Sequence, residues 1–468
     1  MFKLTPVSLA SGLLLALVLS GCAVTRVDPP APTQAPQQFK EDTLWKRAKA
    51  AEPAPEAWWE LFNDPVLNDL EKRLVIGNEN LKTAAAAVAS AQAAVTASHE
   101  AMLPTLGTSV SGTRTRNATS GAGGSAAGAN PSNSLELGLT AGWEIDLWGR
   151  LSQAADSAQA SYQASRGDLA AARLSAQSLL AQTYFSLRSA ELQTELLERS
   201  VEAYQRSLDL TIARYDSGVA ARSDVLQART QIDTTRAQAL EARIERATFE
   251  HALAVLLGEL PTAFSLPPAT ALPAAPTLPD MLPATLLERR PDIGAARARV
   301  VAAYLQIGVA DAAYFPAIDL SGTGGWRNNS FSRLVSAPNL VWSLGASLTE
   351  SILDSGTRQL ASAQARASAE AATATYRQAV LTAFQEVEDN LVQARHLAVE
   401  ETLQDEARKA AASNLELTMD QYRAGTVSYL NVVTAQTALM TAEQSLLSVH
   451  NRRLAALDTL LKNIAGRW

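Results

Sequence analysis

Cysteine is nearly absent. The 468-residue chain has one, Cys22, so disulfides within the chain are excluded. Histidine is scarce too: His99, His251, His396 and His450 stand apart, with no His-x-x-x-His spacing that would hold a metal. No Gly-x-Ser-x-Gly elbow and no Walker motif occurs. These gaps argue against an enzyme and against a resident cofactor or metal. Positive charge does not predominate: the formal net charge is −7, which gives nucleic acid no electrostatic reason to bind. Past the N-terminus no run of about 18 apolar residues exists, so no transmembrane helix is predicted. A transmembrane β-barrel escapes that test, because its strands alternate and hydropathy barely registers them. Aromatics make up only 6% of the residues. Ala, Leu, Gln and Arg are plentiful instead, a composition suited to long helices packed through small side chains.

The first 21 residues read as a lipoprotein signal peptide. Lys3 supplies the positive start, and Val7 to Ser20 the apolar core. Leu19-Ser20-Gly21-Cys22 resembles a bacterial lipobox, which predicts a covalent lipid on Cys22. Ala23 follows, where an Asp commonly retains such lipoproteins at the inner membrane; the outer membrane is therefore expected. Two or three acyl chains on one residue anchor more firmly than one. Residues 22–56 are Pro-rich and read as an extended tether.

The remainder is written twice. "RYDSGVAARSDVLQAR" begins at Arg214 and "QYRAGTVSYLNVVTAQ" at Gln421. Tyr215 matches Tyr422, Gly218 matches Gly425 and Ala228 matches Ala435, each 207 residues apart (422 − 215 = 207). Gly138 and Gly345 keep the same offset, as do Gly149 and Gly356. The repeats span 57–259 and 284–468, joined by a Pro-rich connector over 260–283. Each predicts a helix, a strand pair, a very long helix and a further helix. In the first these fall near 65–102, 105–146, 150–216 and 220–258. In the second they fall near 284–314, 317–352, 357–423 and 427–463. Asp64 and Pro65 supply an acidic cap and a helix-starting proline. A helix from Leu151 to Asp216 would run ~100 Å at 1.5 Å per residue. Helices of that length usually pack side by side as coiled coils. The strand "LELGLTAGWEIDLWG", from Leu135, alternates apolar with polar or small residues, and "LVWSLGASLTESI", from Leu340, does the same. An amphipathic sheet on a soluble core and a lipid-facing barrel both fit this pattern. Trp143, Trp148, Trp326 and Trp342 near the strand ends read as interfacial anchors or as packing under a barrel, Trp148 as the most structural. The loop Asn117–Asn133 is Gly/Ala/Ser-rich and reads as exposed.

Several further pieces carry a family resemblance: "WWELFNDPVLNDL" from Trp58, "LLERRPDI" from Leu286, "AFQEVEDNL" from Ala383, and the Gly-x-Trp ending at Trp468. With the lipobox and the duplicated Tyr-x-x-Gly hairpins, the chain resembles the TolC-like outer membrane factors, in particular the lipoprotein branch serving drug efflux. The resemblance implies a mainly α chain with a transmembrane β-barrel. It implies a homotrimer in which each protomer gives four strands to one shared barrel in outer membrane lipid, above a long α-helical barrel. It also implies a periplasmic adaptor and an inner-membrane RND-type pump as partners. The hairpins at 214–229 and 421–436 become periplasmic tips, with Gly218 and Gly425 permitting the turns. Tyr422 and Asp224 fall on positions that form gate-locking contacts in related channels. Asp224 also sits in a first helical turn, where a carboxylate is favourable for structure alone. Tyr215 is the first-repeat counterpart of Tyr422.

The chain departs from the family pattern at Val427, where a related channel has an Arg, and at Asn431 and Thr434, where relatives have acids ringing the lumen. Weaker cation selectivity and weaker divalent block are therefore expected. Glu386, Glu388 and Asp389 lie on more than one helix face and read as solvated or lumen-facing. Arg289 and Arg290 precede a helix start and are expected to pair with acids near it. Type I protein secretion and a non-channel coiled-coil envelope lipoprotein are the alternative functions.

Overall fold

A computed structural model describes residues 26–31, 57–116, 131–276 and 290–464. Cys22, the signal peptide, most of the tether, most of the Asn117–Asn133 loop, the end of the connector with Arg289, and Trp468 lie outside the described residues. A 3-10 turn at Trp58–Phe62 leads into α1 (Pro65–Gly77), α2 (Glu79–Glu100), β1 (Thr105–Thr115) and β2 (Ser132–Glu144). Next come α3 (Arg150–Asp216) and α4 (Arg222–Leu256). The second repeat supplies α5 (Pro291–Ala312), β3 (Ala317–Asn328), β4 (Leu340–Thr349), α6 (Thr357–Arg423) and α7 (Tyr429–Ile464). Both long helices, α3 and α6, have 67 residues. The chain forms two compact units, and each draws on both repeats.

One unit (Met1–Ala31, Val88–Ser165, Ala296–Tyr376) carries the sheet. Its four strands are antiparallel in the order β1-β2-β3-β4. The register decides what each face is. Leu106 pairs with Ala141, Val110 with Leu137, Leu137 with Trp326, Trp143 with Leu320, and Gly322 with Leu344. Directly opposed residues share a face, so the large apolar residues of all four strands, Val341 excepted, collect on one side. The other side collects Ser, Thr and Gly, with an ion pair between Glu136 and Arg327 at 2.9 Å. The apolar side is uncovered: Val110 is 79% exposed and Leu344 80%. A soluble core would bury that face, so the register supports the barrel and disfavours the soluble sheet. The strands have 10 to 13 residues, enough to cross a bilayer when tilted. Trp148 is structural: its Nε1 donates to the Pro316 carbonyl at 2.6 Å and its ring stacks on Phe315. Trp342 is exposed on the apolar face, and Trp143 donates to the Met102 carbonyl at 2.9 Å.

The other unit (Pro32–Ala87, Arg166–Ala295, Arg377–Trp468) holds the main core, built around Trp58, Phe62, Leu67, Phe185 and Leu457. Asp64 caps α1 as the sequence predicts, its Oδ1 accepting from Val66 N at 2.8 Å and Leu67 N at 3.2 Å. The predicted helix over 65–102 is in fact two. It breaks at Asn78, which leaves helical geometry at φ −64, ψ 118. Asn78 then serves two helix ends at once. Its Oδ1 accepts from Leu81 N at 3.0 Å, capping α2, and its amide donates to the Leu256 carbonyl at 2.7 Å, closing α4. At this junction Gly77 and Gly258 pack backbone against backbone: a Cβ on either would fall on the other segment's carbonyl group.

The matching junction of the second repeat joins the two family motifs. Arg290, almost buried, donates to Asp292 at 2.8 Å, to Glu386 at 2.9 Å and to Asn463 at 3.1 Å. Glu386 is therefore an ion-pair partner, not part of a merely solvated stripe, and Arg290 finds the acidic partner expected for it. Asp389 accepts from Gln385 at 3.3 Å.

Candidate functional site: the hairpin ends

Both hairpins close by the same backbone device. Gly218 N donates to the Tyr215 carbonyl and Val219 N to the Arg214 carbonyl, each at 2.9 Å. Gly425 N donates to Tyr422 and Thr426 N to Gln421, each at 3.0 Å. This is a Schellman closure, which needs a left-handed residue after the helix. Gly218 and Gly425 provide it at φ 75 and 77. The repeated glycines thus follow from one turn made twice.

The side chains break the symmetry. Tyr215 is 43% exposed, whereas Tyr422 is 3% exposed. Tyr422 packs edge-on to Tyr429 at 5.5 Å, in a cluster with Ala228 and Val432. Its hydroxyl meets Thr211 Oγ1 at 3.2 Å, on α3. The Arg214 guanidinium lies 4.8 Å above its ring and donates to the carbonyls of Tyr422 at 2.8 Å and Arg423 at 3.2 Å. A cation at the C-terminal end of α6 is favoured by the helix dipole as well as by the hydrogen bonds. Arg214 therefore ties the end of α3 to the end of α6. Deeper in, Gln436 Nε2 donates to Ser207 Oγ at 2.9 Å, and the Tyr204 hydroxyl to the Gln436 carbonyl at 3.2 Å. Burial, then the neighbouring Tyr422, Tyr204 and Asp224, push the Tyr429 hydroxyl up to about 12.

Asp224 sits in the first turn of α4 and accepts a long bond from Ser223 at 3.5 Å. Tyr422 hydrogen-bonds to Thr211 and not to Asp224. Asn431 and Thr434 are both exposed on α7, three residues apart. Sequence reasoning missed Arg214, Thr211 and Tyr429. One signal was available: Arg214 lies 207 residues before Gln421, so the duplication departs from itself there (421 − 214 = 207).

A sheet with one lipid-compatible face, in a chain whose long helices end at matched hairpins, defines a membrane-embedded β protein that is otherwise mainly helical. The sequence profile described as "Outer membrane efflux protein" matches residues 72–259 and again 282–466, one match in each repeat. The chain belongs to this outer membrane efflux protein family. It is 27% identical to the probable efflux pump outer membrane protein TtgC of Pseudomonas putida, over 98% of this chain and 96% of that one. It is 29% identical to the solvent efflux pump outer membrane protein SrpC of Pseudomonas putida, over 97% of both. Its fold superposes on the outer-membrane channel OprN with a TM-score of 0.87 at 27% identity, covering 95% of this chain and 100% of that one.

Proposed function

We propose that the protein is the passive outer membrane conduit of a tripartite pump, exporting drugs or other small molecules. One observation carries this reading. The four-stranded sheet is apolar and uncovered on one face, polar on the other, and its outer strands β1 and β4 pair with nothing else among the described residues. Open edges at membrane depth are untenable, since each unpaired backbone group there costs several kcal/mol. Pairing β4 of one copy with β1 of the next would close the barrel, and a homotrimer is the assembly we assign. A periplasmic adaptor would dock at the hairpin ends, and an inner-membrane RND-type pump would supply the energy. The lipid on Cys22 would anchor the tether, and the protein would perform no chemistry of its own. The relatives named for toluene, solvent and antibiotic efflux support small-molecule cargo.

Gating at the hairpin ends belongs to the same proposal, with Tyr422 and Arg214 holding the second hairpin against α3 and Asp224 contributing from the first. In planar bilayers the detergent-extracted protein should give small, mostly closed currents. A Tyr422→Phe, Arg214→Met double variant should give larger and longer openings. Insertion without any increase in the variant would remove the gate from these residues. Failure of the wild type to insert would remove the conduit itself.

A further inference from the structure

Two carboxyl groups, Glu71 on α1 and Asp458 on α7, are completely buried in the core around Trp58. Asp458 is well served. Its Oδ1 accepts from Trp58 Nε1 at 3.1 Å, and its Oδ2 from Ser178 Oγ at 2.5 Å and Gln182 Nε2 at 3.1 Å. Glu71 is not served at all: neither of its oxygens has a hydrogen-bond partner. Leu67, Leu70 and Leu74 on its own helix lie in the same apolar core. A bare carboxylate there would be both desolvated and beside a second acid, the arrangement a protein interior tolerates least. A neutral carboxylic acid removes the like-charge repulsion and the larger, ionic part of the desolvation cost.

We propose that Glu71 and Asp458 together form a proton-binding site, in which a proton held on Glu71 is part of the folded core that clamps Trp58–Gly77 onto α3 and α7. The charged groups facing it are few. Arg173 on α3 acts on Glu71, and Lys462 on α7 acts on Asp458. Both cations favour ionisation, and both are outweighed. Burial first, then Asp458, push Glu71 up to about 9 against the pull of Arg173. Burial pushes Asp458 up as well, against its three hydrogen bonds and Lys462. A group whose folded pKa lies above its ordinary value gives stability that is complete below that value. Here the stability is present below 4.5 and is lost as the pH rises to about 9. The clamp is therefore tighter in acid and looser in alkali, the opposite of a salt-bridged carboxylate.

The test is thermal unfolding of the full chain in detergent between pH 4.5 and 9, for the wild type and Glu71→Gln. The wild-type melting temperature should fall steadily as the pH rises. Glu71→Gln, neutral at every pH, should lose most of that slope and melt above the wild type at the alkaline end. A Glu71→Gln slope equal to that of the wild type would overturn the proposal. Should that variant fail to accumulate, infrared spectroscopy of the folded wild type decides. A protonated carboxyl C=O band should persist at neutral pH, survive Asp458→Asn, and vanish on titration to alkaline pH. Its absence at neutral pH would equally overturn the proposal.

Discussion

Gly258→Ala is expected to destabilise the protein far more than Gly218→Ala, although the two glycines share nearly the same backbone angle. Their φ values are 72 and 75. An alanine in that region costs about 1–2 kcal/mol at either site. The surroundings separate them. A Cβ at Gly218 meets open space, whereas one at Gly258 would fall on the carbonyl group of Gly77. The obstacle is backbone, which cannot rotate aside as a side chain can. Nor can the two segments simply part. Asn78 donates to Leu256, and Arg73 pairs with Glu259 at 2.6 Å across the same junction. Overpacking of this kind adds about 1–3 kcal/mol, so Gly258→Ala should lose about 2–5 kcal/mol in all. Melting temperatures of the two variants in detergent check this directly. Equal losses would mean that the junction yields more easily than its contacts imply.

Glu191→Ala is the second change with a large expected effect. Glu191 is almost fully buried and accepts from Arg188 at 2.8 Å, Ala269 N at 3.0 Å and Arg246 at 3.2 Å. Arg188 also donates to the Pro267 carbonyl at 2.7 Å, and Arg246 to Leu266 at 2.9 Å. The first part of the connector is thus fastened to α3 and α4 through two cations and two anions, the second being Glu250, which pairs with Arg246 at 2.8 Å and accepts from Leu266 N at 2.9 Å. Removing Glu191 strands Arg188, itself 3% exposed. Stranding one member of a buried pair costs about 3–5 kcal/mol, whereas replacing both members by apolar groups costs much less. Limited proteolysis across residues 260–276 should therefore cut Glu191→Ala quickly. An Arg188→Met, Glu191→Leu double variant should be cut more slowly than the single one. A connector in Glu191→Ala as resistant as in the wild type would show that the network does not hold it.

These features differ in how far the sequence reveals them. The duplication is local in character, so identical spacing of Tyr-x-x-Gly predicted two matched hairpins, and α3 and α6 end where the motif places them. Alternation along a strand was equally visible. Whether the apolar side faced a core or lipid was not, because that depends on register between strands far apart in the chain. Leu137 opposite Trp326 is the kind of pairing no single strand discloses. Arg290 and Glu386 were each noticed, yet the contact between them spans 96 residues and needed coordinates. The helix break escaped because Leu74 and Leu81, seven residues apart on either side of "GNEN", keep a helical hydrophobic period, and Asn78 only shows its purpose when the end of α4 arrives. Glu71 gave no signal at all. In "VLNDLEKRL" it reads as one more solvated acid, and only the packing of the distant helices turns it into a buried one.

The equal length of α3 and α6 constrains how such a gene can change. Each residue advances a helix by about 1.5 Å and turns it by about 100°. Deleting one residue from α3 alone would shorten one arm and swing its hairpin about a quarter-turn, carrying Arg214 away from the carbonyls it caps. The same deletion made in both arms would leave the two ends level and facing each other. Insertions and deletions in this chain should therefore be inherited in matched pairs, 207 residues apart.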